Sequence, residues 1–203
     1  HRFSWLIQLS REEIINWFSP IWQIWLSDYG REFSGWAWHP YTVAERLINV
    51  LTYSEIFGLP GPRNATIDSL CQHGEVILKN LEYFGERNTG NHLVNNGRGL
   101  FIAGCLLEHK RWADAGALIL TNEANRLFLA SGAAREGSTH YQLLITKWYL
   151  ECYLISLRFS RSEAESLKLI TEKALSCCQA MALKGGFPLI GDVSPDCNPD
   201  YLE

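Results

Sequence analysis

Asn88-Thr89-Gly90-Asn91-His92 heads the apolar, glycine-bearing stretch Leu93-Val94-Asn95-Asn96-Gly97-Arg98-Gly99-Leu100, and its place in the chain decides the fold. The run to about Leu107 reads as one helix. Upstream, Thr42 with Glu45 forms a capping box that opens a helix carrying Val43, Leu47, Val50, Leu51 and Ile56, closed by Gly58 and Pro60. Between these two, about Thr66 to Phe84 is helical, with Ile67, Leu70, Val76, Ile77 and Leu81 on its apolar side. Downstream, helices cover about Arg111 to Leu129 and Ser138 to Phe159, and Ser162 with Glu165 opens a last one ending near Gly185-Gly186. A third capping box, Ser10 with Glu13, starts a first helix towards Phe18. Ser19-Pro20 then either kinks that helix or begins another through Trp22, Trp25 and Leu26. Sustained period-two alternation is absent, so strands are not expected before the tail.

Short connections make neighbouring helices antiparallel. The helices starting near 42, 92 and 139 therefore point one way, and their starts recur at about 50 residues, the period of a curved array of helical hairpins, an α/α toroid or a solenoid. One rim of that array should carry Trp36-Ala37-Trp38-His39-Pro40-Tyr41, Asn88 to His92, and Arg135-Glu136-Gly137-Ser138-Thr139-His140-Tyr141. The opposite end holds ordinary connectors. One end thus gathers amides, imidazoles, phenols and indoles.

The bulk composition narrows the function. With 203 residues and 47% hydrophobic content, the chain holds one substantial core. We divide it into a helical domain, 1–186, and an irregular Pro-bearing tail, 187–203. A net charge of -4 argues against a nucleic-acid partner. No apolar run approaches the ~20 residues that cross a bilayer, so membrane insertion is not expected. Cys71, Cys105, Cys152, Cys177, Cys178 and Cys197 form no metal-type pair, and most lie in apolar helical stretches, which leans towards a reducing compartment such as the cytoplasm. Asp192, Asp196 and Asp200 read as solvated loop acids, and His73, His109 and His140 fall on separate elements, so no metal ligand set is expected. Phosphate-loop, dinucleotide and nucleophile-elbow fingerprints are absent.

The rim suits an anionic sugar. Helix N-termini present unpaired N–H groups and partial positive charge, a seat for a carboxylate. In β-elimination on a uronic acid, one group neutralises that carboxylate, a base removes the neighbouring carbon-bound proton, and an acid protonates the departing glycosidic oxygen. Asn91, His92 and Tyr141 are residues of these types. The plainer alternatives are that Asn91 is an N-cap, His92 a rim histidine bonded to a carbonyl, and Tyr141 a core tyrosine with its hydroxyl at the surface.

The stretch Asn91 to Leu100 resembles the Asn-His motif of heparinase II/III and related alginate lyases. Glu136-Gly137-Ser138-Thr139-His140-Tyr141-Gln142 is similar to the Glu-x-Ser-x-x-Tyr segment of that family, Trp38-His39-Pro40-Tyr41 with Arg46 and Asn49 to a third segment, and Phe187-Pro188-Leu189-Ile190-Gly191-Asp192 to its run out of the helical domain. The resemblance spans about Trp36 to Asp192 and implies an all-α fold, an incomplete α/α toroid of antiparallel helical hairpins. It implies a lyase acting on an anionic, uronate-containing polysaccharide, exported to the periplasm or outside the cell. By it, Asn91 neutralises the substrate carboxylate, His92 assists or acts as base, and Tyr141 is the base or acid serving the glycosidic bond. Trp38, His39, Tyr41 and His140 line the sugar cleft, and Glu136 orients its neighbours. Family enzymes continue into a β-sandwich that adds a further active-site residue, commonly histidine, and often a structural metal. This chain reads as cut short at both ends, with no cofactor of its own.

Two rival readings remain. A glycoside hydrolase on the same toroid needs a second acid about 5–10 Å from Glu136. A non-catalytic toroid that binds glycan or protein would present an apolar groove, with Asn91 and Tyr141 pointing apart.

Overall fold

The structure is a computed structural model, and it describes residues 1–193 apart from 32, 88, 89 and 185, and apart from the side chains of 7, 11, 14 and 15. Asn88 and Thr89 of the expected rim, and Asp196, Cys197 and Asp200 of the tail, lie outside the described residues. The described residues form seven long helices: α1 (Ser19–Tyr29), α2 (Pro40–Phe57), α3 (Arg63–Lys79), α4 (Asn91–Leu106), α5 (Lys110–Leu127), α6 (Thr139–Arg158) and α7 (Ala164–Met181). Among the described residues there is no strand, only two isolated bridges, Phe128 with Ala134 and Leu183 with Gly186.

The capping boxes fare differently. In chain order, the first, Ser10 with Glu13, forms: the Ser10 backbone N–H donates to Glu13 Oε2 at 2.9 Å, and the Glu13 N–H to Ser10 Oγ at 3.4 Å. The helix it opens widens into a loose turn over Ile14–Phe18 and passes into α1 with Phe18 still helical, so Ser19-Pro20 does not begin an independent helix. The second does not form. Helix α2 starts earlier, at Pro40, whose fixed φ suits a first helical position. That leaves Thr42 buried inside the helix and Glu45 free to receive Arg98 Nη1 at 2.7 Å. The third is also replaced. Helix α7 starts at Ala164 with no side-chain cap, and Glu163 is held by the Arg161 guanidinium at 3.0 and 3.1 Å.

A further departure lies at the end of α3. The expected helix to Phe84 stops at Lys79, because Asn80 leaves helical geometry (φ -128, ψ 43) and turns its amide back onto the Val76 carbonyl at 2.8 Å. Residues 81–84 join the connector instead of extending the helix.

The chain divides into two compact units, 1–116 and 117–203. In the first, α2, α3 and α4 pack together, and small residues let their backbones approach. A Cβ on Gly99 would stand 2.9 Å from Ala44 Cβ of α2, and one on Gly104 would stand 2.7 Å from Ala113 Cα at the start of α5. Below the α2 start lies an aromatic cluster. Trp22 and Trp25 stack at 5.3 Å, Phe3 meets Trp22 edge-on, and Phe18 lies tilted against it. The Trp22 indole donates to Thr66 Oγ1 at 2.9 Å, so its buried N–H is satisfied.

A buried cation sits in this cluster. Arg46 is fully buried, its guanidinium 4.1 Å above the Trp25 ring and 5.3 Å from that of Trp38. Its Nε donates to His73 Nε2 at 2.6 Å, while His73 Nδ1 donates to the Ser69 carbonyl. Those two bonds require a neutral His73 carrying its proton on Nδ1. Burial first, then the Arg46 charge, hold His73 well below the ordinary imidazole value, and burial lowers Arg46 itself to about 9.

In the second unit α6 and α7 form a hairpin across the short connection 159–163. Trp148, Tyr149, Leu144 and Cys152 of α6 are buried, as are Leu167, Ala174 and Cys178 of α7. Tyr149 donates its hydroxyl to the Leu120 carbonyl at 2.8 Å. Buried Gln142 organises the loop before α6, donating to the Gly132 carbonyl at 3.0 Å and accepting from the Ala134 N–H. Gly132 (φ +86) lies against the α7 backbone, where a Cβ would come within 2.9 Å of Ala174 N.

Two outcomes follow for stability. Gly104→Leu forces side-chain atoms into the Ala113 backbone, which cannot swing aside, and is expected to cost about 3 kcal/mol in urea unfolding. His73 stays neutral when folded but takes a proton below about 6.5 when unfolded. The unfolded state then binds more protons, so stability falls on acidification, by about 1.4 kcal/mol per pH unit for this one group. His73→Gln, measured by urea melts from pH 7 to 5, should show a shallower pH slope by that amount, on top of a pH-independent loss.

Candidate functional site

Helix α4 begins with Asn91 and His92, and Gly90 occupies the cap position with no side-chain hydrogen bond. Asn91 is thus the first helical residue, half-buried, and its side chain is not spent on capping. His92 and Asn96 are four residues apart and share one face of the helix. That face meets Glu82, delivered by the connector that the early end of α3 releases.

Glu82 is the centre of the arrangement. Its Oε1 accepts from His92 Nδ1 at 2.7 Å and lies 3.6 Å from His39 Nε2. Its Oε2 accepts from Asn96 Nδ2 at 3.1 Å, and its own backbone N–H donates to Asn96 Oδ1 at 2.9 Å. Burial alone would raise the carboxyl. The hydrogen bonds from His92 and Asn96 and the nearby His92 and His39 charges outweigh it, and the group is held below the ordinary carboxylate value. Glu82 is therefore an ionised, largely buried carboxylate ringed by donors.

The imidazoles are stacked into the same corner. The His92 ring lies 4.7 Å from Tyr41 and 6.3 Å from His39, edge-on to the latter. Trp36 stacks on His39 at 6.0 Å and is 81% exposed, an apolar face turned to water beside the imidazoles. Tyr41 is buried and takes the Arg2 guanidinium over its ring at 4.8 Å. Trp38 is buried as well, its indole donating to the Tyr29 carbonyl at 2.7 Å. Asn95, next to Asn96 on α4, donates to the Tyr41 carbonyl at 3.3 Å and accepts from Arg98.

Within the first unit, then, the structure brings His39, Tyr41, Asn91 and His92 to the adjoining starts of α2 and α4, with Trp38 behind them. Glu82 and Asn96 belong with them and were not singled out from the sequence. The His92-to-Asn96 spacing was the available signal for Asn96. Glu82 gave none, since the pattern placed it inside a helix.

The second unit holds the other candidates. Ser138 caps α6 by accepting from the Tyr141 N–H at 3.1 Å. Glu136 is exposed in the preceding turn. Tyr141 is half-buried, one turn into the helix, with no partner for its hydroxyl among the described residues. His140 is buried with neither ring nitrogen hydrogen-bonded, its ring 6.0 Å from that of Tyr141, and burial lowers it, so it is a neutral imidazole. The tail straps this helix start. Thr139 donates Oγ1 to the Pro188 carbonyl at 2.6 Å and its backbone N–H to the Ile190 carbonyl at 3.0 Å, the Ile190 N–H donates to Thr139 Oγ1 at 2.9 Å, and Ser138 Oγ donates to the Asp192 carbonyl. Gly191 (φ +77) passes so close that a Cβ there would stand 2.8 Å from the Gly137 carbonyl oxygen. Among the described residues no cluster of three or more metal-ligating side chains forms.

The heparinase II/III N-terminus family matches residues 7–167, most of the chain and nearly all of the helices described above. The chain belongs to that family. Among solved structures, heparinase III superposes with a TM-score of 0.74 at 18% identity, covering 90% of this chain and 30% of that one. Heparan sulfate lyase HepC from Pedobacter heparinus gives 0.68 at 17% identity, covering 95% and 33%, and the heparinase III BT4657 gene product gives 0.65 at 18% identity, covering 90% and 34%. The chain thus spans about a third of the length of these enzymes. No curated protein is matched. The shared fold is the α/α toroid, so the all-α, incomplete toroid of antiparallel hairpins expected from the sequence is the fold of this heparinase-family chain. Among the described residues no helix is long and apolar enough to cross a membrane.

The Glu82–Asn96 contact makes a sharp stability test. Asn96→Asp keeps the shape but replaces the amide donor by a second carboxylate against Glu82, and is expected to cost about 2 kcal/mol at pH 7. The two acids then share a proton more readily when folded than unfolded. The deficit relative to wild type should therefore shrink as pH falls towards 5, in thermal melts at matched ionic strength.

Proposed function

We propose that this chain is the helical, sugar-handling part of a polysaccharide lyase, cleaving a uronate-containing anionic polymer by β-elimination. The observation that carries the reading is the start of α4. Asn91 is uncommitted at a helix N-terminus, and beside it His92 is fixed through Nδ1 by an ionised carboxylate, leaving Nε2 for a ligand. Unpaired N–H groups and the Asn91 amide can take the uronate carboxylate as charge builds on it after the neighbouring proton is lost. The electron pair of the broken C–H bond forms the new carbon–carbon double bond, the bond to the glycosidic oxygen breaks, and an acid protonates that oxygen. His92 is the proposed assistant or base at the first step, and Tyr141 the proposed base or acid at the glycosidic bond, the latter on family resemblance. His39, with exposed Trp36 stacked on it, offers a sugar ring a face and a donor.

A hydrolase would need a protonated carboxyl as general acid, held above its ordinary value. Glu82 is shifted the other way, so it does not supply that acid. A polymer substrate also fits export to the periplasm or outside the cell. Heparan sulfate, named for the HepC lyase, is the first polymer to offer.

The test uses the full-length protein with heparan sulfate and a panel of other uronate polymers, following the ultraviolet absorbance of the unsaturated product. Absorbance should rise with one polymer, and Asn91→Ala and Tyr141→Phe should each lower kcat by about 10²–10⁴-fold with the fold intact by circular dichroism. Binding without any rise in absorbance would leave a non-catalytic glycan-binding toroid instead.

A further inference from the structure

We infer that Glu82 is a positioning residue that sets the orientation of His92 and keeps a proton on its Nδ1, so that in the neutral ring Nε2 is the unprotonated nitrogen. The inference deepens the proposed function, since it rests on His92 belonging to the sugar site.

The geometry leaves little choice of protonation pattern. A carboxylate can only accept, so the 2.7 Å contact from His92 Nδ1 to Glu82 Oε1 places the proton on Nδ1. When the ring is neutral, its lone pair is therefore on Nε2, the reverse of the form that an unrestrained histidine prefers. The His92 side chain is about half exposed, while that of Glu82 is 7% exposed, so the anchor is buried and the working nitrogen is on the wet side. Glu82 cannot rotate away. Its other oxygen is bonded by Asn96 Nδ2, and its backbone N–H is returned to Asn96 Oδ1, which closes a ring of two bonds around one side chain. Because Asn96 lies one turn below His92 on α4, the helix itself sets the distance between anchor and imidazole.

His39 shares the anchor. Its Nε2 stands 3.6 Å from the same Oε1 that His92 uses, too long for a direct hydrogen bond and close enough for attraction when His39 is protonated. Glu82 Oε1 therefore faces two imidazoles and Oε2 faces one amide, and no second acid of the unit stands among these contacts. Such a carboxylate behind a histidine acts on the ring's orientation and proton placement, and on the reacting atoms only through it.

The experiment is two-bond ¹H–¹⁵N NMR of histidine-labelled protein above the imidazole titration, with the His92 signal assigned by its loss in His92→Gln. Wild type should show His92 protonated on Nδ1, and Glu82→Gln should move it towards the Nε2-protonated form. A wild-type His92 protonated on Nε2, or a Glu82→Gln protein that keeps the Nδ1 form, would overturn the inference. Should Glu82→Gln fail to fold, the wild-type spectrum alone decides. If a polymer is turned over, Glu82→Gln should lower kcat by about 10- to 100-fold with KM changed less than about threefold. A rise confined to KM, with kcat unchanged, would overturn the positioning role. If no polymer is cleaved but the tautomer behaves as stated, the placement of His92 by Glu82 stands and the lyase reading fails on its own.

Discussion

An ionised carboxylate kept largely out of water is costly unless every lone pair that faces the protein finds a donor. Glu82 is such a group, and the start of α4 is built around satisfying it. The Asn96 side-chain amide holds both the Glu82 carboxylate and the Glu82 backbone N–H, His92 takes the other oxygen, and His39 approaches the atom that His92 uses. The imidazoles at the starts of α2 and α4 hold their places because a buried negative charge requires them there. That constraint turns two helix starts, otherwise interchangeable with any other pair, into a site with a defined proton arrangement.

Beneath it stands the opposite charge. Arg46 is buried among Trp25 and Trp38 and has a neutral histidine, not an acid, as its side-chain partner. Ring faces and the His1 carbonyl, which accepts from Nη1 at 3.0 Å, supply the compensation. Much of the aromatic content of the N-terminal third is thereby explained as structure: Trp25 and Trp38 face one cation, and Phe3, Phe18 and Trp22 pack beside Trp25. Trp36, by contrast, is 81% exposed.

The second unit solves a simpler problem. Gln142 and the tail segment 188–192 tie down the loop before α6, and Ser138 caps the helix, so Tyr141 sits on a rigid start. His140, next to it in sequence, points into the unit and is neutral. Neighbours in a motif thus take opposite environments because successive helical residues are turned about 100° apart.

The sequence by itself determined the helical class, the hairpin order and the recurrence of starts near 42, 92 and 139, because apolar periodicity and short connectors are local properties written in every turn. It also placed Asn91, His92 and Tyr141 at helix starts, within a residue or two of where they stand. Tertiary structure alone decided how the polar groups are used. Thr42 and Glu45 have the spacing of a capping box, yet Arg98 lies more than fifty positions away in the chain and claims the carboxylate. Ser162 and Glu165 have it too, but Arg161 ties down Glu163 instead. Glu82 looked like one more residue on a helical face until Asn80 ended the helix and Asn96 and His92 gathered its carboxylate. A side-chain oxygen goes to whichever donor the packed helices bring to it, and that competition between local and distant partners has no signature in spacing.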